Sequence, residues 1–374
     1  MARQGAIKRV FPGGNTGVGF HSFYDYIIEP DARRIMVIKG GPGVGKSTFM
    51  HAIGEAMVER GFDVEYMHCS SDNGSLDGVV VPEIGVAMID GTAPHVVDPK
   101  NPGCVDEIIH LGDFWDESKM RAHKAEIMEC NREVGRFFAR AYRFLRAAKT
   151  IHDDWEAANI EGMNSAAANK KAVAVLDQIF ARKKVVRMTA RVGKERHLFA
   201  SAITPDGPLN YLETVVGPMP TKYIIQGEPG TGKSTLVGKV AATAVEHGYD
   251  VEIYHCALDP GKVEHLIIPR LGVAVVTSAE PHIYPADETD LVIDMNECLS
   301  RKVVEKYADV VAFDREEFAR LFDRAVSFIA RAKKTHDKME SYYVPNMDFA
   351  TVGALREKTL ARILAYAGEV RKVV

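Results

Sequence analysis

The 374-residue chain has little tryptophan (two residues) and no run of about eighteen apolar residues that would let a helix cross a bilayer. Its opening, MARQGAIKRVFPGG, lacks the apolar centre of a signal peptide, which points to the cytoplasm. Cysteine is sparse. Cys69, Cys104, Cys130, Cys256 and Cys298 are odd in number and form no CxxC pair, which argues against a disulfide framework or a zinc ribbon. Excess positive charge is missing as well: the net charge of −4 gives no global attraction to nucleic acid or to an anionic membrane. With 46% hydrophobic and 26% charged residues, the composition is that of a globular chain long enough for two domains.

What the sequence does contain is an internal repeat, which has to be found before any fold is assigned. Ile35 to Thr48 (IMVIKGGPGVGKST) matches Lys222 to Thr235 (KYIIQGEPGTGKST) at an offset of 187, half the chain. The same offset joins Gly61-Phe62-Asp63-Val64-Glu65 to Gly248-Tyr249-Asp250-Val251-Glu252, His68-Cys69 to His255-Cys256, Asp72 to Asp259, and Pro94-His95 to Pro281-His282. At an offset of 184, Lys149, His152, Asp153 and Glu156 meet Lys333, His336, Asp337 and Glu340. The duplication therefore includes the later, helical region.

In each copy a short apolar segment (Arg9 to Phe11, Arg196 to Phe199) leads through a Gly/Pro-containing loop and a short helix into an apolar strand and the glycine-rich loop. Phe49, Met50, Ile53 and Met57 then fall on one face of a helix over Lys46 to Arg60, which Gly61 ends. Strand-like runs follow at Val64 to His68, Val86 to Ile89 and Ile108 to Leu111, alternating with loops as in a parallel α/β sheet. The segments from about Asp116 to Arg187 and Leu299 to Gly368 lack strand signals and read as helical. The expected fold is α/β: two tandem P-loop NTPase domains with parallel sheets, each followed by a helical subdomain. Copy one would span residues 1–190 (core 7–113, helices 114–190) and copy two residues 191–374 (core 195–297, helices 298–374).

Both loops satisfy GxxxxGK[ST], in which glycines let backbone N–H groups wrap phosphates, the lysine reaches the terminal phosphates and the hydroxyl ligates magnesium. The residues expected on the nucleotide are Gly41, Gly43, Val44, Gly45, Lys46, Ser47 and Thr48 in copy one. In copy two they are Glu228, Gly230, Thr231, Gly232, Lys233, Ser234 and Thr235. ATP with Mg2+ is the expected ligand, and the absence of an NKxD motif selects adenine over guanine only weakly.

Turnover needs a carboxylate for the magnesium shell and a group to orient the nucleophile. Val86 to Asp90 is an apolar strand ending in Asp, whereas its counterpart Val273 to Thr277 ends in Thr. A substitute in copy two is Asp294, after Leu291-Val292-Ile293, whose own counterpart is His110. Ser47, Asp90, Ser234 and Asp294 are thus the candidate metal ligands, and copy one looks the better catalyst. Asp72 and Asp259 are candidates for orienting water or a substrate hydroxyl, or else they start the turns that follow the strand. Adjacent His and Cys on a strand point to opposite faces, so His68-Cys69 and His255-Cys256 do not read as a metal site. His95 and His282 follow proline just after the Asp90 strand region and its counterpart, where a terminal phosphate could be sensed or a histidine could simply cap a loop. Lys149, His152 and Glu156 share a helix face, as do Lys333, His336 and Glu340: either a lid over the nucleotide or, the commoner case, a solvated polar face. Lys170 to His197 holds nine Lys/Arg against two acids; a solvated linker is favoured there over a phosphate- or nucleic-acid-facing segment.

On the paired loops, the FPGGNTGVGFHSFYDYI opening, the DGTAPH segment from Asp90 to His95 and RHLFASAITPDG from Arg196 to Gly207, the chain resembles a family of bacterial tandem P-loop ATP-binding proteins of about this length. The resemblance covers essentially the whole chain and implies nucleotide binding at both loops. A looser likeness is to RecA/KaiC-type ATPases, but the catalytic Glu those carry after the strand following the P-loop helix is absent. The expected activity is a magnesium-dependent ATPase that rearranges its two P-loop domains. Alternatives are a small-molecule kinase, with the Asn15-Thr16-Gly17 loop or Asp72 and Asp77 holding an acceptor, and a nucleotide sensor whose second site only binds. An unidentified small molecule or protein is the expected further partner; nucleic acid is disfavoured, and no membrane partner is expected.

Overall fold

The computed structural model describes residues 3–93, 96–180 and 191–373. His95 and residues 181–190 of the basic run in Lys170 to His197 lie outside them. In chain order the first repeat contains β1 (Ile7–Val10), β2 (Gly13–Thr16), β3 (Gly19–Ser22), β4 (Arg34–Lys39), α1 (Lys46–Glu59), β5 (Val64–Cys69), β6 (Asp72–Val81), β7 (Val86–Asp90) and β8 (Asp106–His110). The helices α2 (Glu117–Ala122), α3 (Lys124–Glu161) and α4 (Ser165–Phe180) follow. The second repeat contains β9 (Glu195–Leu198), β10 (Ser201–Thr204), β11 (Gly207–Asn210), α5 (Leu212–Val216), β12 (Thr221–Gln226), α6 (Lys233–Glu246), β13 (Val251–His255), β14 (Val263–Ile268), β15 (Val273–Thr277) and β16 (Leu291–Asp294). It closes with α7 (Arg301–Lys306), α8 (Ala308–Tyr343) and α9 (Phe349–Val373). None of the described helices is long and apolar enough to cross a membrane.

Each repeat builds a six-stranded sheet, in the order β1-β5-β6-β7-β4-β8 and, equivalently, β9-β13-β14-β15-β12-β16. The sheets are mixed, where the sequence suggested parallel ones. β6 runs antiparallel to both β5 and β7, and β14 to both β13 and β15. Only Ser70 and Ser71 separate β5 from β6, and so short a link can only reverse the chain. The remaining pairs, β1 with β5, β4 with β7 and β8, and their counterparts, are parallel.

The chain packs as two compact units whose make-up differs from the halves 1–190 and 191–374. One unit holds residues 1–13, 22–139 and 328–374; the other holds 14–21 and 140–327. In the first, α1 buries Phe49, Met50, Ile53 and Met57 against Met36, Ile38 and Tyr66 of the sheet, and the other side of that core is closed by Val352, Ile363 and Ala367 of α9. In the second, α6 buries Leu236, Val237 and Val240 against Tyr223, Ile225 and Val275, and Ala172, Val175 and Ile179 of α4 complete the core. The helix that finishes each core comes from the opposite repeat. Burial is the physical reason: α1 and α6 each present apolar surface away from their own sheet, and an amphipathic helix of either repeat can cover it.

Candidate functional site

In the first unit the loop from Gly40 to Gly45 leaves the C-terminal end of β4, the strand flanked by β7 on one side and β8 on the other. Ligands of open α/β sheets settle beyond the carboxyl ends of strands at such a place. Gly45 stands at the N-cap of α1 with φ 91°, and Gly232 at the N-cap of α6 with φ 83°, a left-handed backbone that favours glycine. The unpaired N–H groups of the first turn therefore face the loop's interior. Val44 and Thr231 turn their side chains into the protein, whereas Thr48 and Thr235 are exposed.

Lys46 Nζ donates to the carbonyl oxygens of Gly40 (3.1 Å) and Gly41 (2.8 Å) and lies 3.5 Å from Asp90 Oδ2. Asp90, at the end of β7, sits in register beside Ile38 of β4 and accepts from the Thr92 N–H. Ser47 Oγ accepts from the Leu76 N–H at 3.0 Å, which brings β6 onto the start of α1. Lys46 and Asp90 thus meet beside the loop, and Ser47, on the first turn of α1, is tied to β6.

One residue beyond Leu76 is Asp77, buried beside the loop. Burial pushes its carboxyl up to about 7; the Tyr24 hydroxyl works against that rise and the charge of Asp90 adds to it. At the 187-residue offset Asp77 corresponds to Glu264, whose carboxyl burial likewise pushes up to about 7 while Lys233 pulls it down. Glu264 Oε2 is enclosed without a hydrogen-bond partner. Sequence reasoning weighed Asp77 only as a holder of an acceptor and missed Glu264. The signal was the repeat itself: an acid is kept at this position in both copies, whereas Asp90 is matched by Thr277.

In the second unit Lys233 Nζ donates to the carbonyls of Gly227 and Glu228, both at 2.7 Å. Burial lowers its pKa, against the pull of Glu156, Glu228 and Glu264. Thr277 is buried opposite Ile225. Asp294 lies beside Gln226 across β12 and β16, and its carboxylate accepts from the Asn296 N–H, capping the short turn that follows. The structure thus brings Asp294 to the loop's other flank and gives it a local partner. Glu228 receives a hydrogen bond from Arg315 at 2.6 Å, and the Arg315 guanidinium stacks over Trp155. Arg315 carried no signal in the sequence.

Asp72 and Asp259 take the second of the two roles open to them, that of starting a turn. Asp72 Oδ1 accepts from the Gly74 N–H and Asp259 Oδ1 from the Gly261 N–H, so each begins a turn. Each is also paired with a helix lysine, Lys333 at 3.3 Å and Lys149 at 3.2 Å. Those lysines belong to the two lysine–histidine–glutamate faces, and both faces border the loops. A Cβ on Gly43 would meet Glu340 Cβ at 3.2 Å, and one on Gly230 would meet the Glu156 carbonyl oxygen at 2.4 Å. His152 stands 3.7 Å from Glu156 and His336 stands 3.6 Å from Glu340. The His-Cys pairs are interior: burial drives the His68 and His255 imidazoles down to about 4 and the Cys256 thiol up to about 12. His282 is buried, with its Nδ1 3.4 Å from the amide of Asn210.

No family model, curated protein or solved structure matches the chain.

Proposed function

We propose that the protein binds ATP with magnesium at both glycine-rich loops, each a P-loop, and hydrolyses it at the first, using nucleotide turnover to rearrange its two P-loop units. The observation that carries the reading lies at α1: Lys46 Nζ and Asp90 meet beside left-handed glycines at a helix N-terminus, with Ser47 on the first turn of the same helix. That donor set fits the group. N–H groups and a lysine meet phosphate oxygens, and hard oxygen ligands suit Mg2+. Ser47 and Asp90 would hold the ion in the first site, and Ser234 in the second, with Asp294 available on its flank. The ion would neutralise charge on the terminal phosphates. Lys46 withdraws charge from the same phosphates and is held for it by the Gly40 and Gly41 carbonyls. Glu340 and Tyr343 border the loop, and Asp77, a buried carboxyl poised near neutrality, is placed to take a proton.

The second site favours binding without turnover, because Thr277 replaces Asp90 and Lys233 has no strand-end carboxylate partner equivalent to Asp90 among the described ion pairs. Phosphate release from the purified protein without an acceptor tests the reading. Lys46→Ala is expected to abolish release and Lys233→Ala mainly to weaken binding. Tight ATP binding with no release would overturn hydrolysis, and equal turnover losses would overturn the asymmetry.

A further inference from the structure

Beside the second loop the structure holds a cavity of about 470 Å3, within the range of small-molecule sites. Its wall is shared by the loop and α6, through Gly230, Gly232 and Lys239, and by the region from the opposite repeat, through Met163, Ala168 and Asn169. Met295 closes it next to the phosphate loop. The thioether ends of Met163 and Met295 lie 4.0 and 3.9 Å from where a Cβ on Gly232 would stand, so both methionines flank the N-terminus of α6. Lys239 Nζ donates to Asn169 Oδ1 at 2.8 Å, and both line the cavity, so a fixed carboxamide stands in its exposed wall. Methionine surfaces suit an aromatic ring and the amide supplies hydrogen-bonding polarity.

We infer that this cavity is the purine-nucleoside subsite of the second loop, so that helix α4 of the first repeat selects the base bound by the second. The inference rests on the phosphate-loop reading. It also separates the two sites. At the 184-residue offset Ser165, which lines the cavity, corresponds to Phe349, and the Phe349 ring lies 3.4 Å from where a Cβ on Gly45 would stand. The first unit therefore has an aromatic side chain where the second has a cavity wall.

The test is calorimetric titration with Mg·ATP and with Mg·tripolyphosphate, which has the phosphates and no base, in protein carrying Lys46→Ala to silence the first loop. Ala168→Trp, which fills the cavity, is expected to weaken ATP binding at least about 10-fold, roughly the loss of one good apolar anchor, and to leave tripolyphosphate binding within about 2-fold. Ser165→Phe, a side chain the first unit already carries at the matching position, should do the same and replaces Ala168→Trp if circular dichroism shows that variant misfolded. Unchanged ATP affinity in the folded variants, or equal loss of both probes, overturns the base assignment while leaving the loop reading intact. Failure of both probes to bind the unsubstituted protein overturns the phosphate-loop reading itself.

Discussion

Lys333 Nζ lies 3.3 Å from Asp72 Oδ2, tying the last turns of α8 to the start of β6. The counterpart in the second unit, Lys149 with Asp259, is built to the same distance within 0.1 Å. Both lysines also hold the aspartate one turn along their own helix, Asp337 and Asp153. Each of the six groups keeps about a fifth to a half of its surface, so solvent screens the attraction. A double-mutant cycle of Lys333→Ala with Asp72→Ala, read by urea denaturation, should give a coupling of about 0.5–1 kcal/mol. A coupling of zero would mean that the pair does not hold α8 to the start of β6.

How far the site was legible follows from which features the repeat labels. The two loops, the helix over Lys46 to Arg60 and the strand ending in Asp90 were readable because a glycine pattern, a 3.6-residue apolar spacing and an unbroken apolar run each have one physical interpretation. β6 was hidden because its first residues, Asp72-Asn73-Gly74-Ser75, have turn chemistry and its apolar part ends at once in Pro82. The crossing of α4 and α9 between repeats was unreadable for a different reason. Both helices carry equivalent apolar faces, so nothing in either names the sheet that it covers. Asp77 and Glu264 stood in the alignment of the repeats, but their meaning depends on burial, which alternation along a hidden strand could not supply.

Backbone approach gives a second test. A Cβ at Gly230 would lie 2.4 Å from the Glu156 carbonyl oxygen, and the position has φ 80°, so Gly230→Ala should destabilise by more than about 2 kcal/mol and weaken ATP binding at the second loop. Gly238, in the middle of α6 with open space around it, is the control: Gly238→Ala should stabilise by about 0.5–1 kcal/mol. Thermal unfolding of the two variants checks the sign, and a neutral Gly230→Ala would show that the helix bearing Glu156 does not press on the loop.

The two strand-end aspartates separate cleanly by an isosteric change. Asp90→Asn keeps the hydrogen bond from Thr92 but removes the charge beside Lys46, so phosphate release should fall by about 100-fold or more. Asp294→Asn keeps a side chain able to cap the following turn, and release should stay within about 2-fold. A large loss from Asp294→Asn would make the second loop the hydrolysing one.

Asp77 links the site to pH. Its carboxyl titrates near 7 in the folded protein because of burial, against about 3.8 in the unfolded chain. Between those values the folded state holds a proton that the unfolded state releases, so the contribution of Asp77 to stability is lost as pH rises from about 4 to 7 and does not return above that. Asp77→Asn keeps the shape and abolishes the ionisation. The nucleotide-free variant should therefore be more stable than the parent at pH 8, by an amount of order 2 kcal/mol, with no gain at pH 4. Glu264→Gln should repeat the pattern in the second unit, where burial also pushes the carboxyl to about 7. Because His68, His255, His265 and His282 are held well below their ordinary pKa by burial, they lower stability as pH falls below about 6.5 in parent and variants alike. The comparison is thus made at each pH between variant and parent by thermal unfolding, which cancels the histidine contribution. An Asp77→Asn gain that is equal at pH 4 and pH 8 would show that the buried group is not an ionising carboxyl, and would remove it from the role of proton acceptor beside Lys46.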